Sequence, residues 1–197
     1  MSEFRYPGAS DHLMRFGALA VVAGLVPVLL AAGCGLDQSA GNREAEGTEC
    51  RASFDVQSGG SLPSGGFTLL TAARHAASGD VPVKMVEITR AAGFHDEWDT
   101  MVVITPGMKA EKLNELANTP GMCWEKLPGP YDDDRPKTAY YLFLRDGSPL
   151  RAATWLFPTD DELDFRWTGT KVVHPDTLLA PLQSPGTDPK LRVAPAN

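Results

Sequence analysis

The 197-residue chain has little basic charge, little cysteine and no recognisable catalytic motif. Lys and Arg number 18 against 25 Asp and Glu, which gives a formal net charge of -7. Because nucleic-acid binding needs a basic surface against the phosphates, this balance argues against nucleic acid as a partner. The sequence has no G-x-S-x-G elbow, Walker loop, dinucleotide fingerprint or H-E-x-x-H helix. We therefore predict no cofactor, no metal site and no catalytic residue from sequence motifs.

Histidines that could act as bases or metal ligands are isolated in the sequence. His75, His95 and His174 show no metal-binding spacing. His95 precedes Asp96, so an acid–base site is one interpretation of this stretch, and a surface loop is the other. We favour the surface loop, because neighbouring residues in sequence need not face each other in the fold.

Two acidic clusters, at 132–134 and 160–164, contain the carboxylates that Ca²⁺ prefers. Neither cluster follows the alternating ligand spacing of an EF-hand loop, and each lies beside proline. We interpret both as solvated loops.

The sequence has four tryptophans: Trp98, Trp124, Trp155 and Trp167. They could form an aromatic platform that binds a sugar or a peptide. We favour core packing instead, because most of them lie in predicted strands, where tryptophan usually fills a core.

Long apolar runs are also scarce, and the one that is present lies near the N-terminus. Phe16 to Ala32 is uncharged and mostly apolar, at the short end of what spans a bilayer. An uncleaved membrane anchor is one interpretation. Arg15 before the run, and small residues at its end, favour a signal peptide. Because a start at Met14 leaves a compact, net-positive segment before the run, we predict translation from Met14 rather than Met1.

The apolar run ends in Leu30-Ala31-Ala32-Gly33-Cys34. This stretch resembles the lipobox of bacterial lipoproteins, with Ala31 where the family usually has leucine. The resemblance implies cleavage between Gly33 and Cys34, a diacylglyceryl thioether on Cys34, and N-acylation by a fatty acid such as palmitate. Two or more acyl chains hold a protein stably, whereas one holds it marginally. We therefore expect an extracytoplasmic protein that is anchored to the bacterial membrane through Cys34.

The other two cysteines are Cys50 and Cys123. If Cys34 carries lipid, they form an even pair outside the cytoplasm, where disulfides persist. We predict a Cys50–Cys123 disulfide, and two free thiols are the alternative. Their spacing lacks the C-x-x-C pattern of a redox pair.

Composition divides the chain into four segments. We assign 1–33 to the signal peptide and 34–66, which is mostly small and polar, to the lipidated N-terminus and a flexible tether. The folded domain is predicted over 67–179. The Pro-rich stretch 180–197 is predicted to be disordered.

Within the domain, hydrophobic periodicity and turn residues predict an α+β fold. Phe67–Ser78 and Ala110–Ala117 have helical patterns, and Trp98–Thr105 contains a β-branched run typical of a buried strand. The stretch 83–89 is ambiguous between helix and strand. We expect an antiparallel sheet of four to five strands with one or two packed helices.

Asp146-Gly147 is the clearest turn signal, since this dipeptide favours the two-residue type I′ hairpin. Counting from the turn pairs Leu144 with Pro149 and Phe143 with Leu150. This register places on one face Tyr140, Leu142, Ala153 and Trp155, and on the other Phe143, Leu150 and Ala152. Both faces are partly apolar, which predicts cover on both sides. Alternation of apolar and charged residues over 163–167 predicts a further half-buried strand.

A second, weaker resemblance covers about Glu97 to Phe157, where Trp-Asp precedes an apolar strand and a Pro-Gly turn. This pattern is similar to small uncharacterised bacterial lipoproteins and secreted proteins, and it adds no function. We expect a non-catalytic binding or accessory role at the cell envelope, with an unknown envelope protein or small ligand as partner. The alternatives are an envelope hydrolase using groups such as His95 and Asp96, and a small inhibitor or immunity-type protein.

Overall fold

The computed structural model describes residues 49–58, 66–183 and 186–195. Their elements belong to one compact unit, Ala45–Asn197. The predicted signal peptide, the Gly33–Cys34 cleavage site and Met14 lie outside the described residues. Among the described residues, no helix combines the length and apolar character needed to cross a membrane.

A four-stranded antiparallel sheet forms the centre of the domain, in the order β6-β5-β3-β7. Its strands are β3 (Thr100–Ile104), β5 (Lys137–Arg145), β6 (Ser148–Phe157) and β7 (Val172–Val173). The first three are rich in β-branched, aromatic and leucine side chains, which suit a pleated buried surface. This sheet confirms the predicted α+β class.

Two smaller sheets flank the central one. In the first, β1 (Ala52–Asp55) runs parallel to β4 (Met122–Glu125). The second is antiparallel in the order β2-β8-β9. Its strands are β2 (Val83–Lys84), β8 (Leu178–Leu182) and β9 (Lys190–Val193).

Four helices lie between these strands in the described residues: α1 (Phe67–Ala77), α2 (Met85–Ala91), α3 (Ala110–Ala117) and the single-turn α4 (Phe165–Thr168). The sequence predicted α3 from its apolar spacing and α1 from an alanine-rich stretch that stops at Gly79. α3 ends at Asn118, whose left-handed backbone, with φ of 53°, forms the C-cap. Pro120 and Gly121 follow, as expected of a helix stop.

The central sheet is buried on both faces, as the hairpin pattern predicted. One face carries Tyr141, Phe143 and Trp155, and it packs against α1, α2 and the β2-β8-β9 sheet. The opposite face carries Tyr140 and Leu142, and it packs against α3, Trp124 of β4 and Val56. Because alternate residues of a strand point to opposite faces, adjacent tyrosines of β5 belong to different cores.

The folded domain extends beyond the predicted 67–179. β1 and Cys50 lie in the segment predicted as a tether, and β9 lies in the stretch predicted to be disordered. Both strands are short and carry few apolar residues, so composition gave little sign of them. β9 is held because Leu191 is fully buried between the charged Lys190 and Arg192.

The hairpin register differs from the prediction after its first pairs. Asp146 and Gly147 have φ of 50° and 68°, as the type I′ turn requires, and Leu144 pairs with Pro149. A β-bulge then pairs Phe143 with Arg151 instead of Leu150. One extra residue moves every later side chain of β6 to the other face, so the predicted sharing of faces was wrong.

The predicted strand over 163–167 is also wrong. Leu163 forms only an isolated bridge to Leu191, and the chain enters α4 at Phe165. The alternation was misleading because Asp164, which a half-buried strand would expose, is buried and paired with Arg192. The ambiguous stretch 83–89 contains both structures, since β2 passes directly into α2.

Candidate binding site

The Cys50–Cys123 disulfide is present, as predicted, with the two Cα atoms 5.5 Å apart. It joins the residues around β1 to β4, where Arg51 N donates to Gly121 O at 2.9 Å. Cys34 lies outside the described residues, so its lipidation stays a prediction.

His95 and Asp96 border one groove of about 300 Å³ near Trp98, and both side chains are exposed. The Asp96 carboxylate accepts hydrogen bonds from the Arg151 guanidinium, with its Nη2 atom at 2.6 Å. Arg151 in turn lies over the Phe94 ring, 5.4 Å from its centroid. No hydrogen bond joins His95 to Asp96 in the described part of the chain, so the geometry offers no acid–base pair there.

The two other candidate histidines, His174 and His75, lie in different parts of the fold. The His174 ring Nδ1 lies 2.9 Å from the backbone oxygen of Asp99, at the start of β3. His75 lies on the exposed side of α1. Across the described residues, no group of three or more His, Cys, Asp or Glu side chains is arranged to hold a metal ion.

The first acidic cluster is largely exposed, as predicted for a solvated loop. Asp133 accepts hydrogen bonds from the Arg135 side chain, and this contact lowers the pKa of the Asp133 carboxyl below its ordinary value. Lys137 lies 3.0 Å from Asp132 and 3.3 Å from Asp133.

The second acidic cluster is not a solvated loop, which corrects the prediction. Glu162 and Asp164 are buried, and each is paired with an arginine from another element. Arg74 of α1 contacts Glu162, and Arg192 of β9 contacts Asp164 at 2.8 Å. These ion pairs therefore join α1 and β9 to the loop before α4.

Three tryptophans fill the cores, as the sequence favoured. Trp98, Trp124 and Trp155 are each less than a tenth exposed. The Trp98 indole donates to Thr89 Oγ1 at 3.3 Å, and that of Trp124 donates to Asn114 Oδ1 at 2.7 Å. The side chain of Trp167 is outside the described part of the structure.

The candidate site lies instead near the carboxyl ends of the parallel strands β1 and β4. Asp55 ends β1, and Lys126 follows β4 with a φ of 55°. A lysine rarely adopts this left-handed conformation, which tends to mark functional positions. The Lys126 ammonium contacts the Asp55 carboxylate and holds its pKa well below the usual range.

Next to this pair is an open cavity of about 350 Å³. Tyr140 borders it from the central sheet, and burial raises the pKa of its phenol while a Gln57 hydrogen bond lowers it. The rest of the lining combines polar and apolar residues. They include Lys137, Thr138, Leu127, Pro128 and Pro130.

A second depression, of about 480 Å³, lies between α1 and α2. Small side chains such as Ala72, Ala91 and Ala92 line it. Phe67 stands at its side with 71% of its surface exposed, more than any other large hydrophobic residue described. This groove is apolar and open, in contrast to the polar cavity beside Tyr140.

Sequence reasoning did not find the polar cavity, because its residues come from separate parts of the chain, at Gln57 and within 127–132 and 137–140. The only local signal was the Pro-Gly-Pro turn beside the first acidic cluster. Comparisons with protein-family models, curated proteins and solved structures found no match to this chain.

Proposed function

We propose that this protein is a lipid-anchored extracytoplasmic protein with a non-catalytic binding role at the bacterial cell envelope. One observation carries the proposal. The Cys50–Cys123 disulfide uses two of the three cysteines in the sequence, and the third is Cys34 in the lipobox-like stretch. Since structural disulfides persist mainly outside the cytoplasm, the bond supports the same compartment as the lipobox.

Binding is favoured over catalysis by the geometry of the described residues. The alternative, a hydrolase, would use groups such as His95 and Asp96, but Asp96 accepts a hydrogen bond from Arg151 and, in the described residues, none from His95. The two largest depressions among those described are a polar cavity and an apolar groove, and both are open. Small ligands commonly bind in concave surfaces, so both depressions are candidate binding sites.

The exposed Phe67 favours a second candidate, a small inhibitor or immunity-type protein. Exposed aromatic residues beside an apolar groove are typical anchors of protein–protein interfaces. Under this alternative, the wild-type chain should capture an envelope protein, and Phe67→Ser should abolish that capture.

The proposed membrane attachment is tested with Cys34→Ala, expressed in a bacterial host that processes lipoproteins. We expect the wild-type protein to be cleaved, acylated and recovered with the membranes, whereas Cys34→Ala keeps its precursor mass and takes up no labelled fatty acid. Ser39→Ala is the matched control and should behave as wild type. Processing and acylation of Cys34→Ala would contradict the proposal.

A further inference from the structure

The groove between α1 and α2 is open to solvent, although its lining is mainly apolar. Phe67 exposes 71% of its surface there. Thr71 and His75 follow it on the same face of α1, because residues four apart on a helix are neighbours, and both are exposed. Ala72 and Ala91 contribute only methyl groups to the lining. Contiguous apolar surface left in water marks a docking site for a protein or a membrane.

Negative charge is scarce at this groove. Its lining contains no Asp or Glu, whereas carboxylates border both the cavity beside Tyr140 and the groove near Trp98. Over 67–93, which forms α1, α2 and their connection, three cations stand against two carboxylates, compared with 18 and 25 in the whole chain. These charged residues are Arg74, Lys84, Arg90, Asp80 and Glu87. Since anionic lipids attract cations and repel carboxylates, this side of the domain is suited to approach a bilayer.

The proposed attachment at Cys34 places a bilayer within reach of the groove. Fully extended, the chain from Cys34 to Glu49 spans about 50 Å. A domain of this size has a radius of gyration of about 15 Å, so a tether of that length lets any face turn towards the membrane. Attachment also makes docking intramolecular, so that a surface of weak intrinsic affinity becomes occupied. An unattached protein partner has no such advantage, which favours the bilayer as the occupant.

We propose that the α1–α2 groove docks on the lipid bilayer, with the Phe67 ring inserted at the boundary between headgroups and acyl chains. This inference rests on the proposed attachment through Cys34 and adds a second, reversible contact to it. The hydroxyl of Thr71 and the imidazole of His75 stay in the hydrated headgroup layer beside the inserted ring. Docking through this face leaves the cavity beside Tyr140, on the opposite face of the central sheet, directed away from the lipid.

The test uses residues 35–197, which contain the whole compact unit Ala45–Asn197 with both hydrophobic cores, all three sheets and the disulfide. A histidine tag at the N-terminus replaces the lipid and holds this piece on vesicles of phosphatidylcholine, phosphatidylglycerol and a nickel-chelating lipid. The tryptophan fluorescence of Phe67→Trp is compared between vesicles with brominated and unbrominated acyl chains. Because bromine quenches an indole only at close range, quenching beyond that of the wild-type piece reports a side chain at position 67 within the lipid.

Leu156 provides the matched control. It is 46% exposed and lies on the Tyr140 face of the sheet, away from α1. We expect added quenching in Phe67→Trp and none in Leu156→Trp. Thr71→Trp should also be quenched, and combining it with Phe67→Ser should reduce that quenching roughly fivefold or more, because the aromatic ring supplies most of the inserted apolar surface. Circular dichroism of each variant reports whether the fold is kept.

Three results would overturn the docking proposal: no added quenching in Phe67→Trp, equal quenching of Phe67→Trp and Leu156→Trp, or quenching of Thr71→Trp that Phe67→Ser leaves unchanged. The first would leave Phe67 to a protein partner, as the inhibitor alternative requires. Because the tag replaces the lipid, a chain that fails to become acylated at Cys34 still gives a result in this experiment. Failure of docking likewise leaves the outcome of the Cys34→Ala experiment unchanged, so the two proposals fail separately.

Discussion

At the scale of single residues, Gly66 is the position with the least room for a side chain. It precedes α1, and its N–H donates to Thr154 Oγ1 of β6 at 3.2 Å. A Cβ atom at Gly66 would lie 1.5 Å from the backbone oxygen of Thr154. The start of α1 can therefore approach the edge of the central sheet only through glycine.

We predict that Gly66→Ala lowers the free energy of unfolding by about 1–3 kcal/mol, because helix and strand must separate to admit the methyl group. Urea denaturation measures this change. Gly129→Ala is the control, since a Cβ there meets nothing within 4 Å. Equal stability of the two variants would contradict the close packing of Gly66 on Thr154.

Asp55 gives the protein a component of stability that depends on pH. Its carboxylate accepts hydrogen bonds from Lys126, and from the backbone N–H of Gln57 at 2.9 Å, and these contacts lower its pKa in the folded state. A lowered pKa contributes stability above the unfolded value of 3.8, and this contribution is lost as pH falls towards the folded value. We predict that Asp55→Asn flattens the loss of stability below about pH 4.

Urea unfolding at a series of acidic pH values measures that slope. Lys126→Met should flatten it in the same way, because the lysine is the main cause of the shift. A slope in Asp55→Asn that matches wild type would show that Asp55 titrates normally.

At this scale, the sequence predicted the disulfide but neither the cavity nor the buried ion pair. Cys50 and Cys123 were paired correctly because only two cysteines remained after Cys34. Tyr140 gave no such signal, since a cavity wall depends on which strands become neighbours. Burial of Asp164 was also unpredictable, because its partner Arg192 lies 28 residues further along the chain.

At the scale of elements, local patterns predicted α1, α3, β3 and the Asp-Gly turn. Each has its signal within a few residues, as apolar spacing, a β-branched run or a turn dipeptide. The bulge in β6 and the turn of helix at α4 were missed because tertiary contacts decide them. β1 and β9 were missed because a four-residue strand carries almost no periodicity.

β9 is attached to the domain by charges as well as by Leu191. Asp164 exposes only 2% of its side chain, and Arg192 of β9 is its cationic partner. We predict that Arg192→Met lowers the free energy of unfolding by about 3–5 kcal/mol, because it leaves a buried carboxylate without compensation.

Chemical denaturation tests this prediction against an exposed pair. Lys112→Met removes the cation from the Lys112–Glu115 pair on the surface of α3, and it should cost less than about 1 kcal/mol. Adding Asp164→Leu to Arg192→Met should recover part of the loss. Similar small effects of Arg192→Met and Lys112→Met would contradict a structural role for the buried pair.

At the scale of the whole molecule, the central sheet separates two cores, and the disulfide lies on the side of α3. The bond closes a loop of 73 residues that includes α1, α2, β3 and α3. In the chain-entropy model, a loop of this length stabilises the fold by about 4 kcal/mol. Cys50→Ser combined with Cys123→Ser should lose about that amount.

Thermal unfolding with and without dithiothreitol provides the measurement, and reduction of the wild type should reproduce the double variant. The Cys34→Ala chain is the appropriate background, because it leaves the bridge as the only source of thiols. Two reactive thiols in the denatured, unreduced protein would contradict the bond.

The position of this bridge also determines how the domain responds to a mechanical load. Without the disulfide, a force that pulls on the chain N-terminal to Cys50 would load β1 first, and the hydrogen bonds between β1 and β4 would be the first to resist it. Because Cys50 is covalently joined to Cys123, the force passes directly into β4 and bypasses those hydrogen bonds. Under the proposed attachment through Cys34, tension on the chain would thus leave β1, and with it Asp55, in place.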